Sequence, residues 1–300
     1  LESKNQKIDL ENTNISLYIK REDLLHPYIS GNKFRKLKYN LAKAKSENKQ
    51  TLLTFGGAFS NHILAVAAAG KEQGFNTIGI IRGDELQDKI SENPTLQKAQ
   101  DFGMVFEFVG RETYREKNEP KFIRQLAEKF GDFYLIPEGG TNELAIKGCE
   151  EILTVADEKF HYICCAVGTG GTISGIINCS KNSQQVLGFP ALKGDFIRQD
   201  ICKFVSKSNW DLIADYHFGG YAKVSEDLIL FINEFYQKYK VPLDPIYTGK
   251  MMFGIIDLIN ENYFPKNARI LVIHSGGLQG ITGINNILKQ KKQLQINIYD

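Results

Sequence analysis

Thr51-Leu-Leu-Thr-Phe-Gly-Gly-Ala-Phe-Ser-Asn-His62 begins as an apolar run, passes through a glycine turn tipped with polar side chains, and opens onto a helical pattern from about Ile63 to Gln73. Thr51–Phe55 has almost no polar alternation, so it reads as a strand buried on both faces. The same order recurs at Tyr162–Val167, which runs into Gly168-Thr-Gly-Gly-Thr172, and at Arg269–Ile273, which runs into His274-Ser-Gly-Gly277. Further strands are expected at Ile15–Ile19, Asn76–Ile81, Met104–Val109, Phe133–Ile136 and Val186–Phe189. Helices are expected from Lys33 onward and at Pro94–Phe102, Lys121–Phe130, Glu143–Val155, Glu226–Tyr239 and Lys250–Glu261, with an irregular stretch before Glu226. This alternation predicts an α/β fold of parallel sheets covered on both faces by helices.

The chain has 300 residues, 42% of them hydrophobic and 24% charged, with a formal net charge of +2. Those values describe a globular protein with a large core and give no electrostatic case for nucleic acid or an anionic membrane. No apolar run approaches the length of a membrane span. The polar start, Leu1–Lys7, lacks a signal-peptide pattern. Cys149, Cys164, Cys165, Cys179 and Cys202 are odd in number and show no CxxC spacing. That usage predicts a reducing, cytoplasmic setting and no metal site. Cys164 and Cys165, inside an apolar run, are expected in the core.

Ser30-Gly31-Asn32-Lys33-Phe34-Arg35-Lys36 places a lysine at the start of a helix, with Asn32 or Ser30 as the expected N-cap. The positive end of the helix dipole disfavours an ammonium ion there, and Arg35, Lys36 and Lys38 add like charge. Both effects lower the Lys33 pKa, and a partly neutral amine is what Schiff-base chemistry requires. The competing reading is a solvated basic helix face.

Gly168–Thr172 lets several N–H groups converge at a helix start, which makes a phosphate cradle. It has neither the GxGxxG dinucleotide spacing nor the Gly-Lys-Ser/Thr ending of a P-loop, so a small phosphate group without a nucleotide fits better. Ser60, Asn61 and His62 sit at another helix start, suited to a carboxylate, and Ser60 could also carry a proton. An ordinary helix cap and a packed histidine are the alternatives there. Leu243-Asp-Pro-Ile-Tyr-Thr-Gly-Lys250 presents Tyr247 and Thr248 ahead of a helix, and Ser275 faces the carboxyl ends of the strands. An activated lysine, a phosphate cradle, a carboxylate cradle and hydroxyls at strand ends are together the parts for pyridoxal phosphate acting on an amino acid.

In these stretches, and in Lys20-Arg-Glu-Asp-Leu24, the chain resembles the pyridoxal-phosphate enzymes of the tryptophan-synthase β-like fold (fold type II). Within them it is similar to the 1-aminocyclopropane-1-carboxylate deaminase / D-cysteine desulfhydrase family. The resemblance implies two lobes, each with an open, mostly parallel sheet. Residues 1–38 plus 149–300 would form a large cofactor-binding lobe, and 39–148 a smaller inserted lobe carrying the substrate-carboxylate loop. Lys33 would hold the cofactor covalently and Asn61 would lie beside its phenolic oxygen. Gly168, Thr169, Gly170, Gly171 and Thr172 would bind its phosphate. Ser60, Asn61 and His62 would receive the substrate carboxylate, and Tyr247 and Tyr221 would flank the substrate. A homodimer is implied as well.

Two positions depart from the deaminases. Thr248 stands where they have a glutamate facing the pyridine nitrogen, as in the desulfhydrases. The segment Asp195–Val224, with Trp210 and His217, is unlike either group. The expected activity is therefore a lyase of D-cysteine desulfhydrase type, giving a 2-oxo acid, ammonia and sulfide from a small amino acid. The cyclopropane deaminase and a catalytically retired cofactor-binding homologue are the alternatives. A nicotinamide oxidoreductase is disfavoured by the missing GxGxxG spacing.

Overall fold

The computed structural model describes residues 2–194 and 196–298. Two open sheets organise it. The first has six strands in the order β1-β2-β10-β7-β8-β9: β1 (Asn5–Ile8), β2 (Ser16–Lys20), β7 (Tyr162–Val167), β8 (Gln185–Pro190), β9 (Trp210–Leu212) and β10 (Arg269–Ile273). Only the β1–β2 pair is antiparallel. The second has four parallel strands in the order β5-β4-β3-β6: β3 (Thr51–Gly56), β4 (Asn76–Arg82), β5 (Met104–Val109) and β6 (Tyr134–Ile136).

The helices are α1 (Asn32–Ser46), α2 (Asn61–Gln73), α3 (Pro94–Asp101), α4 (Arg111–Arg115), α5 (Pro120–Phe130), α6 (Glu143–Cys149), α7 (Gly171–Cys179), α8 (Phe196–Cys202), α9 (Glu226–Tyr239), α10 (Thr248–Asn260) and α11 (Gly280–Gln290). Strand periodicity assigns them to faces. In β7, Cys164 and Ala166 join the core under α9, α10 and α11, while Ile163, Cys165 and Val167 join the core under α7 and α8. The smaller sheet divides likewise: Leu52 faces α1, α2 and α3, and Leu53 and Phe55 face Tyr114 of α4 and Phe122 and Leu126 of α5. The central strands β7, β8, β10, β3 and β4 are buried on both faces, as their apolar runs require, while the edge strands β1, β5 and β9 are partly exposed.

Several expectations need correction. The helix expected over Glu143–Val155 ends at Cys149, and a short 3-10 turn, Val155–Asp157, restarts behind a Thr154/Asp157 capping box. The stretch expected to be irregular contains α8 and β9, and Trp210 is an edge-strand residue whose indole N–H donates to the Lys207 carbonyl. Asp195, at the head of that segment, lies outside the described residues. Strand β1 was missed because Asn5-Gln-Lys-Ile8 is mostly polar; it pairs along the sheet edge. No described helix is long and apolar enough to cross a membrane.

Candidate active site

The carboxyl ends of β7 and β10 and the first turns of α1, α2, α7 and α10 meet in one region. Neither Asn32 nor Ser30 caps α1. Its N-cap is Gly31, at φ 60°, and the Asn32 N–H donates 3.2 Å to the Ser275 carbonyl. A Cβ on Gly31 would lie 2.0 Å from that carbonyl oxygen, so the helix start docks directly on the turn after β10. Lys33 is thereby fixed beside Ser275.

Asn32 connects the amine to the glycine turn at 168–172. Its Oδ1 accepts from Lys33 Nζ at 3.0 Å, and its Nδ2 donates to Thr172 Oγ1 at 2.8 Å. Burial, and then the Lys36 ammonium, lower the Lys33 pKa to about 7. The sequence argument reached the direction by another route. Two of the like charges it invoked are neutralised, since Arg35 pairs with buried Glu22 at 2.8 Å and Lys38 with Glu151 at 2.6 Å.

At the loop itself, Gly170 turns at φ 82° and α7 begins at Gly171. Among the described residues, no loop or side-chain hydrogen bond takes up the N–H groups of Thr169, Gly170, Gly171 or Thr172. Lys36, 2% exposed, donates to Gly139 O at 2.9 Å, Thr141 Oγ1 at 3.0 Å and Thr169 Oγ1 at 3.4 Å. A Cβ on Gly171 would stand 3.2 Å from its Nζ. Free N–H groups at a helix start, with a buried ammonium alongside, form an anion site. Lys36 was missed in the sequence as a site residue. Its spacing of three from Lys33, which puts both on one helix face, was the available signal.

Tyr247 packs against the loop's first residue: a Cβ on Gly168 would lie 3.2 Å from its Cε1 and 3.3 Å from its hydroxyl. Asp244 organises this corner. Its carboxylate accepts the N–H groups of Ile246, Tyr247 and Thr248 and the Thr248 hydroxyl, the last at 2.7 Å. Thr248 Oγ1 in turn accepts from the Asp244 N–H at 2.9 Å. With its proton committed to Asp244, Thr248 has one lone pair left and can act further only as an acceptor. The Ser275 hydroxyl has no hydrogen-bond partner among the described residues. Asp244 was also missed; an aspartate four residues ahead of a helix was its signal.

Ser60 is the N-cap of α2, its Oγ accepting from Ile63 N at 3.3 Å. Asn61 faces the turn after Ser275, its Nδ2 3.0 Å from where a Gly277 Cβ would be, and its Oδ1 is buried without a partner. The His62 ring, by contrast, turns into the core. Its Nε2 lies 2.8 Å from Thr54 Oγ1, which donates onward to Ile136 O, and burial holds its pKa well below the ordinary value. Only its backbone N–H belongs to the helix-start cradle. The Tyr221 ring stands 6.1 Å from that of Tyr247, on a loop ahead of α9.

These groups fit pyridoxal phosphate on structural grounds: a depressed amine, unsatisfied N–H groups beside a buried ammonium, and an orphaned Asn61 oxygen. Comparison with known proteins agrees. Residues 4–276 match the family described as pyridoxal-phosphate dependent enzymes, and the chain belongs to that family. It is 30% identical over 296 residues to a bifunctional D-cysteine desulfhydrase/1-aminocyclopropane-1-carboxylate deaminase of Arabidopsis thaliana, covering 88% of this chain and 73% of that one. It is 26% identical over 287 residues to a D-cysteine desulfhydrase of Klebsiella pneumoniae, covering 87% and 86%. The solved structure of a homologue of the cyclopropane deaminase superposes with a TM-score of 0.83 at 26% identity, covering 97% of this chain and 94% of that one.

Proposed function

We propose that the protein is a carbon–sulfur lyase acting on a small amino acid, with D-cysteine as the substrate. The observation that carries this choice is Thr248: a hydroxyl already committed to Asp244 follows Tyr247, where the deaminases resembled here have a carboxylate. The alternative, opening of a cyclopropane amino acid, is supported by the bifunctional Arabidopsis relative.

Bound pyridoxal phosphate supplies an electron sink for the carbanion left when the α-proton departs. Lys33 would hold the group and, once freed, would take that proton; the burial that depresses its pKa in the cofactor-free chain favours a neutral amine. Residues 168–172 and Lys36 would hold the phosphate, Asn61 would flank the ring oxygen, and Ser275 and Thr248 would face the ring nitrogen. The helix start at Ser60, Asn61 and His62 receives the substrate carboxylate through backbone N–H groups and the Ser60 hydroxyl. Burial lifts the Tyr247 phenol well above its ordinary pKa, so it stays protonated and can donate to the departing sulfur. Cysteine and water then yield pyruvate, ammonia and hydrogen sulfide.

The crevice lies between lobes formed by 1–38 plus 149–300 and by 39–148, each built on one of the two sheets. A cytoplasmic homodimer completes the reading; free thiols throughout and the family resemblance support it. The test is to mix the purified holo-protein with D-cysteine, L-cysteine and 1-aminocyclopropane-1-carboxylate, measuring sulfide and 2-oxo acids. Pyruvate and sulfide in equal amounts from D-cysteine are expected. A four-carbon 2-oxo acid from the cyclopropane alone favours the alternative, and absorbance unmoved by any amino acid points to a retired enzyme.

A further inference from the structure

Lys250 lies in the first turn of α10 and is 2% exposed. The helix dipole opposes a cation there, and burial lowers its pKa to about 8. Among the described residues it has no ion-pair partner; the nearby Asp244 carboxylate is taken up by three N–H groups and a hydroxyl. Its ammonium donates instead to two backbone carbonyls, His217 O at 3.0 Å and Gly220 O at 2.9 Å.

Those carbonyls belong to a costly turn. Phe218, Gly219, Gly220 and Ala222 have φ of 52°, 88°, 120° and 57°. Two of them are not glycine, and left-handed backbone at such residues persists only where the surroundings enforce it. Phe218 anchors one side by an edge contact with Phe253 at 5.1 Å, and the Gly219 N–H donates to His217 Nδ1 at 2.9 Å. The residue delivered at the end of the turn is Tyr221, whose ring meets that of Tyr247.

We propose that Lys250 is a positioning residue acting through Tyr221: by holding the His217 and Gly220 carbonyls it fixes the turn that sets the Tyr221 ring against Tyr247. The proposal rests on the reading above that these tyrosines flank the substrate. Lys250 and Tyr247 stand three residues apart across the start of α10, so one helix start carries both the inner tyrosine and the clamp for the outer one. A lysine reaches two carbonyls of a tight turn, whereas methionine of similar length supplies no donor.

The test uses the holo-protein with Lys250→Met, Lys250→Gln (which keeps a neutral donor), Tyr221→Ala and the Lys250→Met/Tyr221→Ala double variant. Unfolding midpoints identify any variant that fails to fold. Amide hydrogen exchange without added amino acid reads the clamp directly. In Lys250→Met, exchange across 217–222 should rise at least tenfold, with β10 and α7 unchanged, and Lys250→Gln should fall between it and the parent. For the amino acid that is turned over, KM should rise about tenfold in Lys250→Met. The double variant should be no worse than its worse single parent. Unchanged exchange in 217–222 overturns the proposal whatever the activity is, and so do additive effects of the two substitutions. An unaltered protein that does not turn over D-cysteine, with 217–222 loosened in Lys250→Met, would instead count against the substrate reading alone.

Discussion

The amine of Lys33 offers the sharpest test of the site. The perturbation is pH, applied to the cofactor-free protein. A lysine with an ordinary pKa is neutral in only about 0.03% of molecules at pH 7. Burial and the neighbouring Lys36 bring Lys33 down to about 7, so about half of it is neutral there. The gain in nucleophile is more than about a thousandfold. The assay is brief labelling with a small amine-reactive reagent across a pH series, with Lys33 quantified by peptide mass spectrometry against exposed lysines such as Lys147. Lys33 labelling should reach half its maximum near pH 7 and then level off, while the exposed lysines continue to climb. A Lys33 rate that rises tenfold per pH unit through pH 9 would show an ordinary ammonium. The argument from burial would then fail, and with it the assignment of Lys33 as the proton carrier.

Three further outcomes follow from the same geometry. Glu22→Gln leaves buried Arg35 with only Glu151, at 3.9 Å, to balance its charge and should cost about 3 kcal/mol in urea unfolding, and a loss below about 1 kcal/mol would contradict the pairing. Gly31→Ala forces a Cβ to within 2.0 Å of Ser275 O at a φ of 60°, so cofactor loading measured by absorbance should weaken at least about tenfold in a protein that still folds; normal loading would refute the docking of α1 on that turn. Stability of the cofactor-free protein should rise with pH between 7 and about 8. Lys33 has a folded pKa below its unfolded value, and so does Lys250, so the unfolded chain binds more protons there, each group contributing up to about 1.4 kcal/mol per pH unit. Above that the buried thiols Cys149, Cys164, Cys165 and Cys179, which burial holds protonated in the folded chain, act in the opposite direction. Stability that falls between pH 7 and 8 in denaturant melts would be the contrary result.

The sheets were legible because their strands are short, apolar on both faces and followed by glycine turns: β5, β7 and β10 lie at the expected residues. What was missed has physical causes. The polar edge strand β1 pairs with the adjacent β2, and the three-residue β9 with the preceding β8, so each is a strand because of its partner and not because of its own apolar pattern. The site was legible as separate turns, since each carries its own glycines and hydroxyls. Its internal wiring was not. The Asn32 bridge spans 140 positions from Thr172, and the Lys36 contact with Thr169 spans 133. His62 is the packed histidine that its sequence position allowed: its neighbours face the cradle, while its own ring is buried against Thr54.

Two buried lysines and one half-buried lysine near one crevice, Lys36, Lys250 and Lys33, would be a poor bargain in a protein that bound nothing. Each is pushed toward neutrality by its surroundings, and none has a carboxylate partner among the described residues. Lys250 resolves its case internally, through two carbonyls. Lys33 has a single acceptor, Asn32 Oδ1, whose amide leads on to Thr172, and Lys36 donates to Gly139 O, Thr141 Oγ1 and Thr169 Oγ1. Both stand by a loop whose N–H groups at 169–172 are unspent among the described residues. A dianionic phosphate on that loop would compensate the charge of Lys36 and satisfy those N–H groups together, while Lys33 would be consumed in holding the same molecule. The cost of keeping these amines out of water therefore falls on the cofactor-free protein and is relieved on loading. A helix start placed against its own dipole is thus an expression of the ligand, and Asn32 is the side chain through which the amine and the phosphate loop are held in register.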